Sequence, residues 1–452
     1  MVPPTVFTIR RFHESTRRRW CRFALGCFAF LPLMLLVGVS ILVATPWYRA
    51  MEKREWERKV GGTLGIDIQA KEFRWTAPSQ FRAEGVEVRH PETHHLLGRV
   101  ERIDGLMKPQ GWSVILESPS IDGEQLDRGL DVVHDWFLCR PQTSSQLLAL
   151  SIPRGMAIHH GTQKTSLNRI DIVFRPASTV SSIHAKWTFE EQPFGEVALH
   201  VSREHASEDA TTKMEISSPA VWVPCSLATD RYRSWNWLGE GARFRGVVQY
   251  QGNRRSWDAL VSGEIQNVDF GGMTNSLGSP ILGRGALEFE QLHLRDRRIL
   301  KAAGEFRVQA GTASRRWLQH VAESLRLQVS FPQESPDALA MEQVGLRFAL
   351  DPSGISLKGT LPGPSHWPPI AARLGDSFLF ADGTVSPLSQ LIQALQYGPQ
   401  ASGPGAIVIE GASPPVSAYL PVPAPTSDRR GSAAAAAVSR NRLSRAGSPS
   451  PR

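Results

Sequence analysis

The chain has 452 residues, with 51 Lys and Arg against 43 Asp and Glu for a net charge of +8, and four cysteines. The excess positive charge lies toward the two ends and the middle is nearly balanced, which argues against a nucleic-acid face, since such a face concentrates charge on a folded element. The cysteines form no CxxC pair and no metal-ligand spacing, so neither a metal nor another cofactor is expected.

Residues 1–22 form a basic arm carrying Arg10, Arg11, Arg17, Arg18, Arg19 and Arg22. Residues 23–48 (FALGCFAFLPLMLLVGVSILVATPWY) carry no charged side chain. About 20 apolar residues cross the hydrocarbon core of a bilayer, so this run is expected to be a single transmembrane helix. Flanking positive charge stays in the cytoplasm, which places the N-terminus inside and the bulk of the chain outside. Trp20, Trp47 and Tyr48 are placed to sit at the headgroup layers. The competing reading is a cleaved signal peptide. The run exceeds the roughly 7–15 residues of a signal core, and Leu42-Val43-Ala44 is a poor cleavage pattern, so a retained anchor is expected. Residues 49–62 read as a charged juxtamembrane helix ended by Gly61 and Gly62.

From residue 63 to 397 the pattern changes to short alternating runs separated by Gly, Pro, Asn and Asp. They fall at 85–90, 169–174, 194–201, 244–250, 259–265, 286–294, 304–308, 345–350 and 354–359. Period-two alternation gives each strand one apolar and one polar face. Apolar positions such as Val86, Val88, Ile170, Ile172, Leu287 and Phe289 illustrate the pattern, although the two parities in the set cannot all face one way. Hairpin turns are expected at 251–253 and 351–354. No βαβ alternation is visible, so a doubly wound parallel sheet is not expected. Amphipathic helices are predicted over 126–138, 313–327 and 386–397, the last with Ser386 as N-cap and Pro387 at its first position. The fold class is therefore mainly β with a few helices: one transmembrane helix, then an elongated, curved antiparallel sheet. Residues 398–452, rich in Pro, Gly, Ser, Ala and Arg, are expected to be a disordered tail.

No catalytic constellation emerges. His90, His94 and His95 are the sharpest polar cluster, but Pro91 breaks any helix that would align them for zinc, and solvated turn histidines are the plainer reading. There is no G-x-S-x-G elbow and no phosphate loop. A carboxylate pair for glycoside hydrolysis leaves no mark in sequence, because such pairs meet only in three dimensions. Trp75, Trp112, Trp136, Trp187, Trp222, Trp235, Trp237, Trp257, Trp317 and Trp367 could line a sugar cleft, but core packing is their more common role. Cys139 and Cys225 both lie beyond the anchor, so one disulfide between them is open.

Residues 20–126 carry an order of features: the anchor and charged helix, Leu64-Gly65-Ile66-Asp67-Ile68, Phe73-Arg74-Trp75, Gly85-Val86-Glu87-Val88, His90-Pro91-Glu92-Thr93, Leu96-Leu97, and Leu116 to Asp122. This resembles the start of AsmA-like envelope proteins. The resemblance implies a curved β-sheet with an apolar groove, outer-membrane biogenesis and phospholipid movement through the periplasm. Independently of it, a sheet with one apolar face must bury that face, dimerise or hold lipid. The expected function is that of a non-enzymatic protein of the inner membrane, its bulk in the periplasm. It would bind or pass lipid or support outer-membrane assembly, with membrane lipids and envelope proteins as partners. The alternatives are an anchored structural or cell-wall scaffold built on an ordinary β-sandwich, and an anchored envelope glycan hydrolase.

Overall fold

The computed structural model describes residues 14–139, 147–160, 163–205, 209–229, 238–253, 255–271, 281–296, 298–331, 337–363, 367–373, 376–395 and 420. The fold is mainly β, with an apolar helix at the N-terminus. Most of the expected tail at 398–452, and residues 1–13 of the basic arm, lie outside the described residues.

The N-terminal helix runs as α1 (Glu14–Leu25), a π-helical stretch (Gly26–Phe30) and α2 (Leu31–Ala44). Thr16–Leu42 is long and apolar enough to cross a membrane, and none of its apolar window is buried. The π stretch ends just before Pro32, at the second position of α2, whose ring cannot continue a regular bond ladder. The helix stops at Thr45, whose ψ of 142° is extended. The Thr45 hydroxyl accepts from the Tyr48 N–H and caps α3 (Pro46–Leu64), with Pro46 in the first turn. Trp47 and Tyr48, read from sequence as the end of the anchor, therefore belong to the next helix. Gly65 ends α3 in the left-handed conformation at φ 66°.

By internal contacts the chain falls into two compact units, Met1–Ser181 and Ser182–Arg452. The first carries β1 (Asp67–Gln69), β2 (Glu72–Ala77), β3 (Gln80–Arg89), β4 (Leu96–Lys108), β5 (Gly111–Glu117) and β6 (Ser120–Asp122). It continues through α4 (Gly123–Val132) and a π turn (Val133–Leu138) into β7 (Leu147–Ile152), β8 (Met156–His160) and β9 (Gln163–Arg175). The charged helix α3 covers the apolar face of this sheet. Trp56 stacks on Phe73 at 5.0 Å between ring centroids, and both lie in one buried cluster with Phe81, Ala83, Val86, Val100 and Ile103. Glu57 Oε1 also accepts from the Ala70 N–H at 2.8 Å. Phe81 lies over Gly105, where an added Cβ would come within 2.0 Å of the ring. Two strand pairs are parallel, β5 with β7 and β6 with β8, joined by the crossover through α4. The alternation rule pointed away from such a unit. β7 (LLALSI) is apolar almost throughout, as parallel strands tend to be, and so carries no period-two signal.

The second unit contains β10 (Val180–Phe189), β11 (Gln192–Glu204), β12 (Thr212–Pro224), α5 (Ser226–Thr229), β13 (Arg243–Gly252), β14 (Trp257–Asp269), β15 (Leu282–Arg295) and β16 (Arg298–Ser314). It continues with α6 (Arg315–Leu325), β17 (Gln328–Val329), β18 (Ala338–Asp351), β19 (Gly354–Gly359), β20 (Pro369–Arg373), β21 (Asp376–Phe380), β22 (Asp382–Ser386) and α7 (Leu388–Leu395). Strands β11 to β16 pair each with the next in antiparallel register, β16 then pairs with β18, and β18 with β19. Both expected hairpins are present. Asn253 Oδ1 accepts from the N–H groups of Arg255 and Ser256, and Asp351 Oδ1 accepts from that of Ser353. Helices α6 and α7 pack with β16, β18 and β19 through Leu325, Leu388, Leu391, Ala302, Leu350 and Ile355. Leu420 is buried in the same cluster, so at that position the C-terminal segment touches the fold. Ser386 does not fill the N-cap role expected for it; its hydroxyl donates to the Leu325 carbonyl.

Candidate functional site

The register of the second unit resolves the parity conflict seen in the sequence. Leu287 pairs with Phe306 and Phe289 with Gly304, whereas Leu292 pairs with Ala302. The shift between Phe289 and Gln291 is a β-bulge, and it keeps Leu287, Phe289 and Leu292 on one face of β15 despite their spacing. One row of facing partners then crosses eight strands: Leu199, Ile216, Val248, Val261, Leu292, Ala302, Leu350 and Ile355. Beside it run Val201, Met214, Tyr250, Ala259 and Leu294. Phe289 and Phe348 meet edge to face at 6.4 Å on either side of Gly304, which has no side chain to part them.

The row is unevenly covered. Ala302, Leu350 and Ile355 are buried where α6 and α7 pack, whereas Leu199, Ile216, Val248, Val261 and Leu292 are only half-buried. At about 4.8 Å between strands, the half-buried stretch spans about 19 Å, comparable with the roughly 15 Å depth of one bilayer leaflet. The opposite face is polar. Arg307 pairs with Glu288 and Glu305, and Arg347 pairs with Glu290 and Glu305. The outer charges are solvated, and such pairs contribute little stability.

A concavity of about 820 Å³ lies near one end of β11 to β15, lined mainly by polar side chains including Lys213, Glu215, Gln249, Asp258, His293 and Arg295. Trp257 stacks with Tyr250 at 6.2 Å there. Burial pushes the Asp258 carboxyl up, but hydrogen bonds from Arg295 and His293, together with their charges, outweigh it and hold the group below the ordinary aspartate value. A general acid needs a raised pKa, and Asp258 has the reverse.

The other residues singled out in the sequence are dispersed. His90 Nδ1 accepts from the Glu92 and Thr93 N–H groups and so caps its own turn, while His94 meets Asp67 at 3.2 Å. Trp317 is in the core, while Trp112 and Trp75 both pack against Phe81. Trp235 and Trp237, like the side chain of Trp136, lie outside the described residues. Cys139 lies in the first unit, with its Sγ 3.7 Å from His134 Nδ1, and Cys225 lies in the second. Cys225 is buried among Leu238, Val268 and Phe270, and burial pushes its thiol up to about 11, which leaves it unreactive. The apolar row itself could not be assembled from sequence, because the bulge fixes which residues share a face.

Comparison with protein-family models, with curated proteins and with solved structures finds no match to this chain.

Proposed function

We propose that the protein is a non-enzymatic, membrane-anchored envelope protein that holds the acyl chains of a lipid on the half-buried apolar row of its second unit. The carrying observation is the register itself: Leu199, Ile216, Val248, Val261 and Leu292 are successive cross-strand partners and none is fully buried. A contiguous apolar surface of this kind marks an interaction site. The apolar helix supports placement in a bilayer, and the arginines before it support a cytoplasmic N-terminus with the bulk of the chain in the periplasm of a bacterium with two membranes. An AsmA-like role in lipid movement or outer-membrane assembly is the reading that fits both features.

The test is purification of the full chain in mild detergent, followed by native mass spectrometry. The expected result is a co-purifying lipid, lost in Val248→Asp and Ile216→Asp and kept in Gln249→Lys on the opposite face. A well-folded chain free of lipid would favour the scaffold reading. A C-terminal phosphatase fusion active only outside the cytoplasm checks the orientation.

A further inference from the structure

We propose that His134, Asp135 and Cys139 form a binding site for a thiophilic divalent cation of the zinc class. The three ligand atoms all lie within 4.8 Å of one another. His134 Nδ1 is 2.9 Å from Asp135 Oδ1 and 3.7 Å from Cys139 Sγ. A tetrahedral zinc with ordinary bond lengths separates its nitrogen and sulfur donors by about 3.6 Å, and its nitrogen and oxygen donors by about 3.4 Å. The spacing is therefore already close to that of a coordination shell.

The backbone explains how this comes about. In an α-helix, residues five apart lie about 140° apart around the axis and cannot share a ligand. Here the chain leaves α4 through the π turn Val133–Leu138, and the Cys139 N–H donates to the His134 carbonyl at 2.9 Å. That i to i+5 bond places residue 139 over residue 134, and π turns of this kind recur at functional sites. The H-D-x-x-x-C spacing belongs to no familiar zinc pattern, so it carried no signal in the sequence.

The donor set selects the metal. A thiolate with an imidazole favours zinc and its neighbours over magnesium or calcium, which prefer oxygen. Asp135 is exposed and His134 and Cys139 are half-buried, so a fourth position faces solvent and water can fill it. Binding converts the Cys139 thiol to a thiolate and releases one proton to solvent. The site lies in the first unit and does not depend on the lipid reading.

The experiment uses the full chain in detergent with Co²⁺ as the spectroscopic probe and Zn²⁺ as competitor. One equivalent of cobalt should bind with a sulfur-to-metal charge-transfer band that zinc bleaches. Cys139→Ser should remove the band, and His134→Gln should weaken zinc binding by at least about tenfold. In the unsubstituted chain, Zn²⁺ should slow alkylation of Cys139, read on its own peptide by mass spectrometry, by about the same factor. Because that second readout needs no variant, a folding defect cannot obscure it. Absence of the band, its persistence in Cys139→Ser, or alkylation indifferent to zinc would each overturn the site.

Discussion

The Ser386 hydroxyl donates to the carbonyl oxygen of Leu325 at 3.1 Å, and both residues are buried. Leu325 is the last residue of α6, where carbonyls lack a partner within the helix. Ser386 thus ties the end of one covering helix to the start of the other. Ser386→Ala should leave a buried acceptor unsatisfied and cost about 1–3 kcal/mol, read by denaturant unfolding. An unchanged midpoint would show that water replaces the hydroxyl.

Phe81 and Gly105 are matched in shape. Gly105→Ala should destabilise the first unit by about 1–3 kcal/mol through overpacking. Phe81→Ala should cost about 3–5 kcal/mol. The double variant should lose less than the sum, because Phe81→Ala makes room for the new methyl group.

The turn at Asp351 makes a pH prediction. Hydrogen bonds from the Ser353 hydroxyl and N–H hold the Asp351 carboxyl below its ordinary value, against a smaller opposing push from burial. The unfolded chain then binds the proton more readily than the folded one. The contribution is fully present above about pH 4, the ordinary aspartate value, and is lost as pH falls through the lower folded value. Asp351→Asn should flatten the acid limb of the stability curve there, and parallel acid limbs for the two proteins would contradict this.

Leu420 is buried with Leu388 and Leu391. Leu420→Ala should therefore cost about 2–5 kcal/mol, as for other buried leucines. A chain truncated after residue 395 should show a loss of similar size, measured as a shift in the unfolding midpoint.

The bulge in β15 permits a sharper test of the apolar row. Glu290 is the extra residue of that bulge, so deleting it leaves Phe289 opposite Gly304, Gln291 opposite Ala303 and Leu292 opposite Ala302 in a regular ladder. Leu287, Phe289 and Leu292 then stay on one face, and lipid retention should be kept. Deleting Glu288 instead removes a regularly paired residue and should turn one side of the strand to the polar face. Loss of lipid on deleting Glu290, with the sheet signal in circular dichroism preserved, would contradict the bulge assignment.

These features mark how far the sequence could be read. The nine alternating runs fall in strands, apart from His90 at the end of the first, because each side chain announces its own face. The hairpins at Asn253 and Asp351 were legible because their side chains bond their own backbone. The packing of α3 was not foreseen, although Trp56, Val60 and Leu64 recur at four-residue steps, since the charges around them dominate its composition. The bulge in β15 and the π turn before Cys139 each displace the chain by one residue from a regular repeat. Periodicity is blind to such a displacement, yet one assembles the apolar row and the other the metal-ligating trio.

The joint at Thr45 sets a short leash. Trp56, whose ring is locked into the first unit, lies only ten residues beyond Pro46, about 15 Å of helix. With no slack between the apolar helix and the sheet, a chain held in a bilayer would search for partners in two dimensions, at an effective concentration fixed by its membrane.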